Sequence, residues 1–119
     1  MNPKALSDAW FDAWYSGNYK AIPVSDNFKH TSPYGTIEGK KTYLEIVESN
    51  KDKFLGNEIL IHDQVVEGDR CVVRYTIKNP AFEMEVTEWM YCSGNQIREI
   101  ISYYNIEGEI SGSRELKDF

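Results

Sequence analysis

Glu88 and Glu99 fall in step with oily side chains near the end of the sequence, and acids so placed are the first candidates for chemistry. Phe82, Met84, Val86, Met90 and Cys92 alternate, and Glu88 shares their parity. Beyond Gly94-Asn95, Ile97, Ile101 and Tyr103 alternate, and Glu99 shares theirs. With Gly94-Asn95 as a two-residue hairpin loop, Ser93 faces Gln96, Met90 faces Glu99 and Glu88 faces Ile101. The two carboxylates are then diagonal neighbours on one apolar face. A slip of one residue would send them apart. Carboxylates crowded on an apolar face desolvate and repel one another, which raises the proton affinity of at least one and suits it to general acid or base work. The competing reading is structural, with either acid near a cavity mouth or paired with a buried Arg, His or Tyr. In the same register Arg98 and Tyr91 face each other on the opposite surface.

His30 is the third catalytic candidate, as a proton shuttle or ligand contact. Its plainer role is a half-buried imidazole bonded to a backbone carbonyl. Whether His62 or Asp63 points inward depends on the length of the Glu67-Gly68-Asp69 connection, and the sequence leaves both open. Two lone histidines without a spaced acid make a poor metal site, so no metal is expected. No nucleophile elbow, phosphate-binding loop or cofactor fingerprint occurs, so no cofactor is expected either. Three Trp, eight Tyr and five Phe give a 13% aromatic content, enough to fill a core or to wall an organic-ligand cavity. Trp10 and Tyr43 suit the core. Trp14, Tyr34 and Tyr75, with Met90, Tyr103 and Asn105 from the final strands, are the ligand-binding candidates, and a Tyr34 hydroxyl could polarise a carbonyl oxygen.

The elements that must carry these residues are legible in outline. Ser7 followed by Asp8 reads as the start of a helix that Gly17-Asn18 ends, with Leu6, Trp10, Ala13 and Trp14 along one stripe. A short helical turn around Tyr19 to Ile22 and a strand from Phe28 to Ser32, stopped by Pro33, follow. Tyr34 to Gly39 reads as a loop with two glycines. Tyr43, Leu44, Ile46, Val47 and Phe54 recur at helical spacing over Lys40 to Lys53. Period-two alternation then runs from Ile59 to Val66 and from Cys71 to Ile77, before the hairpin that bears the acids. The segment from Glu107 to Phe119 has no clear periodicity and reads as frayed or as a short strand extension.

At 119 residues the chain has the size of one domain, 1–119. A net charge of −6 and scattered lysines and arginines argue against nucleic acid as a partner. No run approaches the length of a membrane span and no apolar leader opens the sequence, so a soluble, cytoplasmic protein is expected, with no membrane partner. Cys71 and Cys92 lie among apolar strand residues and read as buried thiols. Helices first and an antiparallel meander afterwards give an α+β class, with helices covering one face of a curved sheet that can leave a hollow.

The run Ala9 to Tyr19, the segment His30-Thr31-Ser32-Pro33-Tyr34-Gly35 leading to Gly39-Lys40, the Glu67-Gly68-Asp69-Arg70 turn and Gly94 to Glu99 through Tyr103-Tyr104-Asn105 together resemble a SnoaL-like member of the nuclear transport factor 2-like superfamily. That resemblance spans residues 6 to about 106. It implies a cone-shaped, curved antiparallel sheet wrapped around N-terminal helices and enclosing a pocket, frequently as a homodimer through the outer sheet face. It also implies that His30 turns toward the pocket. The superfamily contains polyketide cyclases, ketosteroid isomerase, epoxide hydrolases, dehydratases and members that only bind, so fold does not choose the reaction. In SnoaL-like cyclases an aspartate near the end of the last strand acts as acid or base. The matching place here is Asn105, and an amide does not take up a proton at neutral pH. The Arg and paired Asp of the epoxide hydrolases have no counterpart. Two readings stand: a cofactor-independent isomerase, cyclase or hydratase acting on a small apolar carbonyl compound, or a non-catalytic module that binds an apolar or aromatic molecule or dimerises.

Overall fold

A computed structural model describes residues 2–105; the expected loose segment from Glu107 to Phe119 lies outside them. The first helix, α1 (Pro3–Ser16), starts earlier than Ser7. Asn2 is its cap, accepting a hydrogen bond from the Ala5 amide at 2.8 Å, and Pro3 presets the first turn. Ser7 is therefore an interior helix residue, fully buried, whose hydroxyl accepts from Gln64 Nε2 at 3.0 Å. Gly17 ends the helix at φ 78°, a left-handed backbone that glycine adopts without strain. Leu6, Trp10 and Ala13 at this spacing face the core, with Phe11 beside them.

A 3₁₀ turn (Tyr19–Ala21) leads into β1 (Val24–Ser32), which is longer than the sequence pattern suggested. The stretch read as a loop contains a strand, β2 (Gly35–Glu38), joined to β1 through Pro33-Tyr34 with Ser32 opposite Gly35. Its two glycines bracket a short extended segment whose Thr36 hydroxyl bonds that of Thr31, so the glycine signal was real but marked strand ends. The long helix divides into α2 (Lys40–Ser49) and α3 (Lys51–Phe54). At Asn50 the backbone leaves the helical region (φ −135°, ψ 36°), and its side-chain amide donates to the Ile46 carbonyl.

Strands β3 (Glu58–Glu67), β4 (Arg70–Asn79), β5 (Phe82–Ser93) and β6 (Gln96–Tyr103) form the antiparallel meander. The six strands make one curved, unclosed sheet in the order β2-β1-β6-β5-β4-β3. It is not wholly antiparallel, because β1 pairs with β6 in parallel. No tight turn ties those two strands together, since helices and the rest of the meander separate them in the chain, so the hairpin rule that forces antiparallel pairing does not apply. Helices α1 and α2 close over one face. Between them and the sheet lie Leu6, Phe11, Val24, Phe28, Val47, Val73, Met90, Ile97 and Ile100, each almost wholly buried. Cys71 and Cys92 are buried free thiols there, and burial pushes both thiols up from their ordinary pKa. Among the described residues no helix is long and apolar enough to cross a membrane.

Candidate active site

The register of the last hairpin decides which acid enters the interior. Ser93 pairs with Gln96 and Cys92 with Ile97, as a two-residue Gly94-Asn95 loop requires, but Tyr91 then pairs with Glu99. Arg98 is the extra residue of a β-bulge, and beyond it the pairing is displaced by one. Met90 therefore faces Ile100, and Glu88 faces Ser102. The expectation that Glu88 and Glu99 share a face is overturned, because the bulge turns Glu99 to the outer surface. There it stands opposite Lys29 of β1, with Arg98 Nη1 at 3.6 Å. The Arg98 guanidinium lies over the Tyr91 ring at 5.4 Å, as the opposite-surface reading requires. The same displacement sends Ile101 and Tyr103 outward and brings Ile100, Ser102 and Tyr104 inward.

A hollow of about 240 Å³ lies between the helices and the sheet. Its walls are Trp10, Phe11 and Trp14 from α1, Tyr43 from α2, Phe54 from α3 and Ile59, Tyr75, Ile77, Phe82, Met84 and Val86 from the strands. Lys53, Asn57 and Tyr104 also line it. Three polar side chains meet on its wall: Glu88, Ser102 and His30. Glu88 is only 4% exposed. The Ser102 hydroxyl donates to Glu88 Oε2 at 2.6 Å, and His30 Nε2 lies 3.5 Å from Ser102 Oγ and 3.8 Å from that same Oε2. Glu88 Oε1 is buried and has no hydrogen-bond partner among the described residues. The Tyr75 hydroxyl is close enough to interact with the carboxylate, and that interaction helps to raise the phenol, yet it completes no hydrogen bond to Oε1. The His30 ring is wedged among Tyr43, Phe28 and Trp10, with centroids 5.3, 6.2 and 6.4 Å away.

Of the candidates from sequence, Glu88, His30, Trp14 and Tyr75 meet at this hollow. Met90 is not on its wall but in the packed core at 1% exposure. Tyr103 points outward at 59% exposure and Tyr34 stands in the β1–β2 turn at 75%, where its ring neighbours Tyr104 at 6.2 Å. Asn105 is exposed beside a separate hollow with Phe82, Glu83, Met84 and Glu85. Neither His62 nor Asp63 enters the cavity. A bulge between Ile61 and Asp63 leaves His62 Nε2 2.6 Å from Thr76 Oγ1 and Asp63 paired with Arg74 at 2.8 Å. Trp10 and Tyr43 are core residues and cavity walls at once. Ser102 escaped the sequence reading, because a lone serine between Ile101 and Tyr103 becomes visible only once the bulge at Arg98 is known. Among the described residues no group of three or more His, Cys, Asp or Glu side chains could hold a metal ion.

The sequence profile of the SnoaL-like domain matches residues 8–100. The chain belongs to that family. Solved structures similar to this SnoaL-like domain share its architecture at low identity, which speaks for fold alone. A nuclear transport factor 2-like protein of unknown function from Cytophaga hutchinsonii is 19% identical with a TM-score of 0.77, covering 88% of this chain and 91% of its own. A Kribbella flavida protein provisionally assigned as a ketosteroid isomerase is 13% identical with a TM-score of 0.76, covering 95% and 84%. A Catenulispora acidiphila protein with a ketosteroid isomerase-like fold, solved in complex with trimethylamine, is 17% identical with a TM-score of 0.71, covering 89% and 88%. No curated protein matches.

Burial of two phenols gives this SnoaL-like domain a signature at high pH. Desolvation first, and then the charge of Glu88, push the Tyr43 and Tyr75 phenols far above the ordinary value of 10.0. Above about pH 10 the unfolded chain sheds these protons while the folded chain keeps them, so folding stability is intact below that pH and declines above it. The slope is up to ~1.4 kcal/mol per pH unit for each phenol. Urea midpoints taken from about pH 9 to about pH 11 are expected to fall, and to fall less steeply in Tyr43→Phe and Tyr75→Phe. Parallel slopes in all three proteins would contradict the assignment.

Proposed function

We propose that this protein is a cofactor-independent acid–base catalyst, an isomerase, cyclase or hydratase, in which Glu88 moves a proton on a small apolar carbonyl compound. The observation that carries the reading is the carboxylate of Glu88, buried on an aromatic-walled hollow, held by Ser102 through one oxygen and without a hydrogen-bond partner at the other among the described residues. A buried acceptor without a partner costs folding free energy, and such costs persist where function requires the group. In the proposed step Oε1, uncovered as the ligand seats in the hollow, removes a proton from the carbon next to a carbonyl. The electron pair of the C–H bond moves toward the carbonyl oxygen as an enolate, and the carboxylic acid so formed returns the proton to another carbon of the same ligand. A volume of about 240 Å³ is below the ~300–1,000 Å³ of pockets that hold drug-sized ligands, so the substrate is small.

The test is proton exchange at carbon. Small cyclic ketones and enones are incubated in D₂O with wild type and with Glu88→Gln, and deuterium incorporation is followed by NMR. Enzyme-dependent exchange that Glu88→Gln lacks supports the reading, and equal exchange in both removes Glu88 from the chemistry. A second reading, non-catalytic binding, is favoured by the same unpaired oxygen among aromatic rings, which suits a small alkylammonium ion. That the Catenulispora acidiphila protein of this fold was solved in complex with trimethylamine supports a small amine as ligand. A melting point raised by trimethylammonium compounds, with no exchange on any ketone, would select this second reading. For assembly we propose a homodimer through the outer sheet face, where Trp89 and Tyr91 are half-buried and Tyr103 is exposed. Sedimentation is expected to give twice the chain mass, and a monomer for Tyr103→Glu; a monomeric wild type would refute the dimer.

A further inference from the structure

Glu88, Ser102 and His30 superficially resemble a nucleophilic serine with a histidine base, but the direction of the hydrogen bonds excludes His30 from that part. A hydroxyl has one proton to give. Ser102 gives its proton to Glu88 Oε2 at 2.6 Å, so the side of Ser102 Oγ that meets His30 Nε2 at 3.5 Å is a lone pair. The other neighbour of Nε2 is Glu88 Oε2 at 3.8 Å, which also presents lone pairs. A bare Nε2 would face two acceptors and be repelled by both, whereas an N–H there is attracted to both. The ring cannot swing away freely, since Trp10, Phe28 and Tyr43 pack around it. The distances are long for finished hydrogen bonds, as such contacts are before a ligand tightens them.

Resting on the acid–base reading of Glu88, we infer that His30 is held as its Nε2–H form and that His30 and Ser102 act as a donor clamp on Oε2, leaving Oε1 as the reacting oxygen. Ser102 is then a positioning residue, because its one proton is committed to the hydrogen bond that holds Oε2. His30 is a donor and not the proton acceptor that a shuttle at this atom would need. The clamp has a chemical purpose. A carboxylate pinned through one oxygen keeps the other in a fixed direction, and productive proton transfer from carbon depends on that direction.

The form of His30 can be read without any substrate. In ¹⁵N-histidine-labelled wild type at about pH 8, long-range ¹H–¹⁵N spectra are expected to show His30 protonated at Nε2 and bare at Nδ1. His62 is the only other histidine, so His62→Gln assigns the signals. A proton at Nδ1 instead would overturn the clamp, even in an enzyme whose exchange activity depends on Glu88. On a ketone that wild type exchanges, Ser102→Ala is expected to lower kcat by about 10- to 100-fold with KM unchanged, and Ser102→Thr, which keeps the hydroxyl, is expected to restore most of it. A full-rate Ser102→Ala, or a Ser102→Thr no better than alanine, would also overturn it. If no ketone is turned over, the proposed activity fails by itself, and the imidazole spectrum still decides whether the clamp exists.

Discussion

Replacing Glu88 by glutamine is expected to all but abolish proton exchange at carbon while leaving the protein about as stable as wild type. Removing a positioned general base lowers the rate by about 10²- to 10⁴-fold. Glutamine keeps the shape of the side chain and an acceptor for the Ser102 hydroxyl, but it cannot take a proton at neutral pH. The cost of burying the charged oxygen Oε1 without a partner disappears with the charge. Urea unfolding of Glu88→Gln is therefore expected to give a free energy no more than ~1 kcal/mol below wild type, and a value above it is consistent with a site that trades stability for function. Two results would count against this. Undiminished exchange would remove the base, and a loss of several kcal/mol would show that the charge is a structural support.

The second large effect is on the fold. Phe28 is completely buried in β1, and its ring meets Tyr43 at 5.3 Å, Trp10 at 6.0 Å and His30 at 6.2 Å. Phe28→Ala leaves those three rings without a common neighbour and is expected to cost ~3–5 kcal/mol. That is a large fraction of the ~5–15 kcal/mol that holds a typical domain together. Chemical denaturation should show a midpoint shifted strongly to lower urea at unchanged m-value, with Phe28→Leu much milder. A small shift for the alanine variant would mean that Phe28 does not link the helices to the sheet. The same substitution loosens the His30 ring, so the imidazole spectrum should lose its single protonated form.

Much of this architecture is written locally. Helix α1 follows from the stripe of Leu6, Trp10 and Ala13 and from Gly17, and strands β3 to β6 follow from period-two alternation broken at Gly68, Asn79-Pro80 and Gly94. Other local signals are legible but carry more than one meaning. Ser7 is as good a cap as Asn2, and only Pro3 and the packing of Ser7 against Gln64 show which one the helix uses. Gly35 and Gly39 punctuate a strand as well as they would a loop. The parallel pairing of β1 with β6 has no local signature at all, since it joins segments about seventy residues apart.

The sequence by itself determined the α+β class, the family and a set of inward-facing strand residues in which Glu88 stood out as an acid among apolar neighbours. Tertiary structure alone decided that Glu99 leaves that set, that Ser102 enters it and that His30 meets both Glu88 and Ser102. The physical reason is the single extra residue at Arg98. Side-chain direction in a strand has a period of two, so one bulged residue reverses the parity of everything after it, and no composition or spacing within the strand records that reversal.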